Sequence, residues 1–305
     1  MTHRIAVICP FGIDQGLLSE AYRLSGGTVR VLLPEGETAL AKRLGADILH
    51  TLPDDFSVED DAVFAHWLAQ QIRGWGDKLI LAPATVRLRN IMPMAAWHLD
   101  AGLTADCTSL SVEEGNLIQT RPAFGNNMLA TIRTLSAVQI ATVRPNQFRP
   151  EENNAETVKV FRETPPGDGV GVSVKEHNAF SEGKPLNQAE VIIAGGVGIG
   201  SAQGFEKLQR LAKKCNAAVA ASRGAVDAGF VLYRHQVGVT GVTVCPKVYV
   251  AVGISGAVQH LSGMSGSETV IAINSDPKAP IFDYADYGIV GDWETVIDRV
   301  LEELL

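Results

Sequence analysis

The second half of the chain repeats one pattern that restricts its fold: a short apolar run, a polar or glycine-rich loop, and then helical spacing. The apolar runs are residues 191–194, 217–221, 248–252, 269–273 and 288–290. The run at 248–252 (VYVAV) is apolar at every position, which is typical of a strand covered on both faces. Repeated strand–loop–helix units predict a doubly wound parallel sheet over this half of the chain.

Helical spacing is clearest at the end of the chain. Apolar residues recur there at i, i+3, i+4, i+7, i+8 and i+11 from Trp293, and Asp292 stands where an N-cap belongs. We predict this last helix over residues 293–304. Two further helices are predicted, one over residues 203–214 and one that begins at Gly256.

The first half of the sequence alternates strand and helix signals less regularly. Strands are predicted over residues 4–9, 28–33 and 78–82, and helices over 62–75 and 88–99. A hairpin that turns at residues 114–116 follows, and after it strands over 130–134 and 138–143. We therefore predict an α/β domain with antiparallel additions.

A change of composition separates the two halves. Residues 162–188 are rich in proline, glycine and charged side chains, which is typical of a domain end and a linker. The 305 residues are enough for two domains. We predict an N-terminal α/β domain over residues 1–186 and a C-terminal ligand-binding domain over 187–305.

Composition and charge exclude several classes of function. The net charge is −8 without a basic run, so the chain is not expected to bind nucleic acid. No segment has the length of apolar sequence that a membrane span needs, and the N-terminus resembles neither a signal nor a transit peptide. The four cysteines lie far apart, which argues against a metal site and fits a cytoplasmic protein.

Polar residues follow each predicted strand of the second half at its carboxyl end. The loop at residues 195–200 (GGVGIG) follows the first strand, and Ser222 with Arg223 follows the second. Ligands of open α/β sheets bind outside the carboxyl ends of the strands, so this edge of the sheet is the predicted binding site. The glycine loop is either a phosphate site or a tight strand-to-helix turn.

The glycine loop does not match the dinucleotide fingerprint. Ser201 stands where the third glycine should be, and Ser222, not an acidic residue, ends the second strand. These two differences disfavour a nicotinamide cofactor, and a nicotinamide-dependent dehydrogenase remains only an alternative.

Three further positions on this edge point to a large ligand. The segment at 252–260 (VGISGAVQH) combines small residues that permit close approach with Ser255, Gln259 and His260 as polar contacts. Arg223 is either a fixed cation beside the ligand or an i,i+4 ion-pair partner of Asp227. Thr240 lies in a glycine-flanked loop and could donate through its hydroxyl.

The motifs of the second half resemble, in order and spacing, the FAD domain of electron-transfer flavoprotein alpha subunits. The resemblance rests on residues 221–230 (ASRGAVDAGF), 236–241 (QVGVTG), 250–260 (VAVGISGAVQH), 270–282 (VIAINSDPKAPIF) and 285–292 (ADYGIVGD). The first half is more loosely similar to the family's first domain, best at 93–110 and 121–132. The resemblance implies FAD as the cofactor and a flavin electron carrier without a catalytic base or nucleophile of its own.

The resemblance also implies a set of cofactor-binding residues. These are Ser222, Arg223, Val237, Gly238, Val239, Thr240, Ser255, Gly256, Ala257, Val258, Gln259, His260, Asn274, Asp292 and Trp293. Arg223 is expected over the isoalloxazine ring, Thr240 near its N5 and His260 near the pyrimidine carbonyl. Asn274 is expected at the adenosine side, with Asp292 and Trp293 closing that end. A cation at short range from the ring raises its reduction potential.

Two positions depart from the pattern of the family that the chain resembles. Val197 stands where many members carry arginine, and Val239 where many carry glutamine. A nucleotide-binding paralogue with an altered or lost redox role therefore remains a second alternative. The expected partners are a beta subunit, in a heterodimer, an acyl-CoA-type dehydrogenase, and a quinone reductase or other redox partner.

Overall fold

A computed structural model of the chain describes residues 3–123, 128–145, 147–167 and 186–303. The described residues up to 167 belong to one compact unit, and those from 186 onward belong to a second. Each unit is built on a parallel sheet with helices against it, so the predicted two-domain α/β fold is confirmed. Among the described residues, no helix is long and apolar enough to span a membrane.

The first unit contains a seven-stranded parallel sheet in the order β10-β3-β2-β1-β4-β9-β5. Its strands are β1 (Ile5–Ile8), β2 (Val29–Pro34), β3 (Ile48–Leu52), β4 (Leu79–Pro83), β5 (Gly102–Cys107), β9 (Gln139–Val143) and β10 (Lys159–Arg162). Its helices are α1 (Gln15–Ser25), α2 (Thr38–Arg43), α3 (Asp61–Trp75) and α4 (Val86–Leu99). Two buried apolar clusters form the core of this unit.

The predicted antiparallel addition is a separate three-stranded sheet. It consists of β6 (Ser109–Glu113), β7 (Asn116–Ala123) and β8 (Met128–Arg133), in that order. Glu114 and Gly115, at the turn between β6 and β7, have φ of 51° and 79°, as a tight hairpin turn requires. The hairpin at 109–112 and 117–120 is thus confirmed.

The second unit contains a five-stranded parallel sheet in the order β12-β11-β13-β14-β15. The strands are β11 (Val191–Gly195), β12 (Ala218–Ala221), β13 (Val248–Val252), β14 (Thr269–Asn274) and β15 (Tyr287–Val290). All five predicted strands are therefore confirmed. In chain order the sheet is 2-1-3-4-5, so the chain changes direction across the sheet between β11 and β13.

The helices of the second unit are α5 (Ala202–Lys214), α6 (Arg223–Asp227), α7 (Val258–Leu261) and α8 (Trp293–Glu303). The prediction of a helix from Gly256 is wrong, because α7 begins at Val258 and has only four residues. Gly256 has φ of 88°, and a Cβ there would lie 2.3 Å from the Ile281 nitrogen. Its positive φ and its close contact with Ile281 exclude a right-handed helical start.

A buried polar network lies on β2 and β3 in the first unit. The Arg30 guanidinium pairs with Asp77 and contacts His50 Nε2 at 2.5 Å, and His50 Nδ1 lies 2.5 Å from Glu163. The Asp77 side chain is fully buried. Arg4 Nε lies 3.5 Å from the same carboxylate, but the Arg4 side chain is half exposed, so Arg30 is the main buried partner that stabilises the Asp77 charge.

We expect Arg30→Met to lower the free energy of unfolding by about 3–5 kcal/mol, because it leaves the Asp77 charge buried without its main cation. Urea denaturation of the purified chain measures the change. The matched control is Arg162→Met, which removes an exposed pair with Glu35 and is expected to cost at most about 1 kcal/mol. Equal losses from the two variants would contradict this account of the network.

Candidate functional site

A cleft of about 700 Å³ opens at the carboxyl edge of the second sheet, across the point where the strand order changes. Its volume is in the range of small-molecule and cofactor sites. The loops after β11, β12, β13 and β14 contribute to its walls. The predicted binding edge is thus where the structure has its cleft.

Most of the sequence-predicted site residues lie in this cleft. The predicted residues that line it are Ser222, Arg223, Val237, Gly238, Val239, Thr240, Ser255, Ala257, Gln259, His260 and Asn274. Gly256 turns against Ile281 and, like Val258, does not line the cleft. The structure therefore brings eleven of the fifteen predicted residues together in the cleft.

Asp292 and Trp293 lie outside the cleft, in contrast to the prediction that they close one end of it. The Asp292 carboxylate caps α8 by accepting from the Thr295 N–H at 3.0 Å and from the Thr295 hydroxyl at 2.9 Å. These hydrogen bonds hold the pKa of Asp292 below its usual value. Trp293 is buried against α5 and belongs to the core on that side of the sheet.

The glycine loop after β11 is a tight turn that uses its own donors. The N–H groups of Gly196 and Gly198 donate to the carbonyls of Val252 (2.8 Å) and Gly253 (3.1 Å). Those of Ile199 and Gly200 donate within the loop. A Cβ on Gly196 would lie 2.0 Å from the Gly253 oxygen, so only glycine permits this contact. Of the two interpretations of this loop, the structure favours the strand-to-helix turn over the phosphate site.

Free donors are found instead after β13. Within the described part of the chain, the N–H groups of Ser255, Gly256 and Ala257 have no hydrogen-bond acceptor. The Ser255 carbonyl accepts from the Ile281 N–H at 3.0 Å, which fixes this segment. Successive unpaired N–H groups in a fixed segment can bind an anion such as a phosphate.

Arg223 lines the cleft and also pairs with Asp227, so both predicted roles are compatible with its position. Its Nε lies 3.3 Å from Asp227 Oδ2, and both side chains are mostly exposed. Exposed i,i+4 pairs are weak, so this carboxylate leaves much of the guanidinium charge available. Asp227 also lines the cleft and was not predicted.

His260 is a buried neutral side chain, not a cation. Its Nε2 lies 2.9 Å from the Tyr249 hydroxyl, and its Nδ1 lies 3.1 Å from the Val237 carbonyl. The carbonyl can only accept, so Nδ1 carries the proton and Tyr249 donates to Nε2. Burial lowers the pKa of His260 to about 4, and burial raises the pKa of Tyr249. Of the two cations considered from sequence, Arg223 is the one that is charged at neutral pH.

Thr240 and Asn274 both use their side chains within the cleft wall. Thr240 Oγ1 accepts from Gln236 Nε2 at 2.9 Å. Asn274 Nδ2 donates to the Ile254 carbonyl at 2.8 Å, and its Oδ1 accepts from the Asp276 N–H at 3.0 Å. Asn274 therefore ties the loop after β14 to the loop after β13.

Several lining residues were missed by sequence reasoning. The missed residues are Gly224, Asp227, Gln236, Gly253, Ile254, Asp276, Ala279 and Pro280, while Val197 and Gly198 were noted only as part of the glycine loop. Gln236 opens the segment QVGVTG, so its place beside Thr240 was the signal that could have found it. Val197 and Val239 line the cleft with exposed apolar side chains.

Comparison with known proteins identifies the family. Residues 12–166 match the model of the electron transfer flavoprotein domain, and residues 185–265 match the model of the electron transfer flavoprotein FAD-binding domain. The chain belongs to the electron-transfer flavoprotein alpha subunit family. The resemblance seen in the sequence is thus confirmed, and with it an FAD-binding second domain and a role in electron transfer. Membership as an alpha subunit implies a beta subunit as partner.

Relatives from distant organisms cover most of the chain. The electron transfer flavoprotein subunit alpha of Thermoanaerobacterium thermosaccharolyticum is 40% identical over 290 residues, covering 90% of this chain and 86% of the relative. That of Bacillus subtilis is 35% identical and covers 91% of this chain and 87% of the relative. The mitochondrial subunit of Oryza sativa subsp. japonica is 37% identical and covers 99% and 88%.

The cleft fits FAD in its chemistry. It combines unpaired backbone donors for a pyrophosphate, one guanidinium, and the exposed apolar side chains of Val197 and Val239 for a flat ring. Ligand sites are typically apolar with a few placed polar groups, as here.

The neutral state of His260 makes the stability of the second domain sensitive to acid. Unfolded histidine takes up a proton below about pH 6.5, whereas folded His260 does so only near pH 4. Acid therefore favours the unfolded state, and we expect the free energy of unfolding to fall by about 2 kcal/mol between pH 7 and pH 5 from this group. Urea denaturation of the cofactor-free chain at the two pH values measures it.

The control for this pH effect is His260→Gln, which removes the titrating group from the site. It is expected to lower stability at pH 7 but to flatten the change between pH 7 and pH 5. The same pH dependence in the variant and in the parent would show that other groups cause it.

Proposed function

We propose that this chain is the FAD-carrying subunit of an electron-transfer flavoprotein heterodimer that receives electrons from an acyl-CoA-type dehydrogenase and passes them to a quinone reductase or another redox partner. The supporting observation is the cleft at the carboxyl edge of the second sheet, with Arg223, Thr240 and free N–H groups at its wall. The cleft-lining residues bind and tune a cofactor, so the chain acts as a carrier and has no substrate of its own.

The residues of the cleft divide the binding of FAD among them. The unpaired N–H groups of residues 255–257 suit its pyrophosphate, and Val197 with Val239 suits contact with the isoalloxazine ring. FAD supplies reversible storage of one or two electrons when it is bound. Arg223 provides positive charge beside the ring, which favours uptake of electrons. Asn274 holds the two loops that border the adenosine side.

The first half of the chain has a separate proposed role, which is contact with the partner subunit. We assign residues 1–186 to contact with the beta subunit and residues 187–305 to FAD, in a cytoplasmic protein. Several large apolar side chains of the first unit are exposed, including Val86, Trp97 and Leu135. Exposed apolar side chains of this size support a role in protein–protein contact.

Co-expression of the chain with its beta subunit tests the proposed carrier. We expect a yellow heterodimer whose visible flavin absorbance is bleached by dithionite and restored by air. FAD released by denaturation should be present in at least equimolar amount. A pure, colourless heterodimer would overturn the proposal.

The electron donor is tested with the heterodimer in catalytic assays. An acyl-CoA dehydrogenase with its substrate is expected to bleach the flavin, and a quinone reductase or an artificial acceptor dye is expected to reoxidise it. Stopped-flow absorbance follows both half-reactions. Reduction by NADH at the same rate, without the dehydrogenase, would assign a different donor.

Arg223→Ala is expected to lower the two-electron midpoint potential by about 30 mV, a tenfold change in the redox equilibrium constant. The reason is loss of a cation beside a ring that gains negative charge, and the effect is moderate because Arg223 is mostly exposed. Titration with dithionite against a reference dye measures the potential.

Asp227→Asn is the matched control, because it removes the carboxylate that partly neutralises Arg223. It is expected to leave the potential unchanged or to raise it. If both variants leave the potential of the bound flavin unchanged, Arg223 serves only in the ion pair.

A further inference from the structure

A buried glutamine stands in the wall of the cleft beside the predicted flavin contacts. Gln236 is only 2% exposed, yet it is one of the residues that line the cleft. Buried side-chain amides are costly unless they are hydrogen-bonded, so the partner of this amide defines what it does. That partner is the Thr240 hydroxyl, at 2.9 Å from Gln236 Nε2.

This hydrogen bond determines the direction in which the Thr240 hydroxyl can donate. An amide nitrogen donates and never accepts, so Thr240 Oγ1 is the acceptor. A hydroxyl has one proton, and that proton is then left to donate elsewhere. Thr240 is itself exposed on the cleft, so its proton is available to an acceptor there.

The backbone holds the two residues in a fixed relation. The Gln236 carbonyl accepts from the Val242 N–H at 2.8 Å, and the Tyr233 hydroxyl donates to the Thr240 carbonyl. Gly241 fits closely against Gln236, since a Cβ there would lie 2.2 Å from the Gln236 oxygen and 3.0 Å from its Cγ. These contacts fix the backbone that carries the Thr240 hydroxyl.

We propose that Gln236 is a positioning residue that makes the Thr240 hydroxyl a hydrogen-bond donor toward the isoalloxazine ring and thereby raises the reduction potential of the bound FAD. The inference rests on the proposed function, in which Thr240 faces the ring. A ring that takes up one electron without a proton becomes a stronger hydrogen-bond acceptor, so a donor held in place favours the first one-electron reduction.

The test compares Gln236→Met in the parent heterodimer and in a Thr240→Val background. Methionine keeps the length and loses the donor, and valine keeps the shape of threonine and loses the hydroxyl. In the parent we expect a tenfold loss in the equilibrium constant of the first one-electron reduction, equivalent to about 59 mV. In the Thr240→Val background we expect no further shift, because Gln236 acts through that hydroxyl.

Two controls separate tuning from general damage. Thr240→Ser keeps a hydroxyl, so Gln236→Met is expected to lower the potential in that background as it does in the parent. Gln119→Met removes another buried glutamine, one that accepts from the hydroxyls of Thr104 and Thr134 on the first unit. It is expected to lower the melting temperature and to leave the potential unchanged.

Gln236→Glu gives a second test that does not depend on the methionine variant folding. A carboxylate only accepts, so it draws the Thr240 proton to itself and is expected to lower the potential. The shift that remains with Thr240→Val measures the effect of the added charge alone, and we expect it to be smaller than the shift in the parent.

Equal shifts with and without the Thr240 hydroxyl, or an unchanged potential with FAD fully bound, would overturn the assignment of Gln236. Both results are distinct from failure of the proposed function, which is seen in the parent protein as the absence of a reducible flavin.

Discussion

Backbone contact between the loops after β11 and β13 is the constraint on which the cleft depends. The two strands are neighbours in the sheet, and Gly196 and Gly198 donate to Val252 and Gly253 across their ends. No side chain fits between these loops, as the 2.0 Å approach of a Cβ on Gly196 shows. The N–H groups of Gly196 and Gly198 are therefore already paired with backbone carbonyls and do not point to a ligand. The unpaired N–H groups on which the proposed pyrophosphate site rests therefore lie in the segment after β13.

A second set of contacts joins the cleft wall into one unit. His260 donates to the Val237 carbonyl, and the Val239 N–H donates to the Gln259 carbonyl at 2.9 Å. The loop that carries Thr240 is thereby fixed to α7, and α7 is fixed to β13 through Tyr249. A neutral histidine suits this task, because a charge buried there would be costly. His260 thus has a structural role, and the proposed electrostatic role belongs to Arg223.

The sequence predicted what depends on local pattern and missed what depends on tertiary contacts. Strands β11 to β15 are apolar runs, and α8 shows helical spacing, so both were predicted. β3 includes His50, whose burial is explained by its contacts with Arg30 and Glu163 and not by an apolar pattern. The predicted helix start at Gly256 is wrong because Gly256 packs against Ile281, which lies in a distant loop and leaves no signal in the local pattern. The helical pattern predicted both Asp292 as the N-cap of α8 and Trp293 on its apolar face, whereas their expected place at the adenosine end came only from the resemblance.

Val197 and Val239 affect how strongly the charge of Arg223 interacts with a bound ring. Val197 is 55% exposed and Val239 is 64% exposed, although both belong to a wall that faces the ligand. A flat ring placed on these side chains removes their apolar surface from water, which contributes to binding. It also excludes water from around the guanidinium, and charge interactions strengthen as the local dielectric falls. In the proposed flavin site, apolar contact at these two positions therefore strengthens the interaction between Arg223 and the ring.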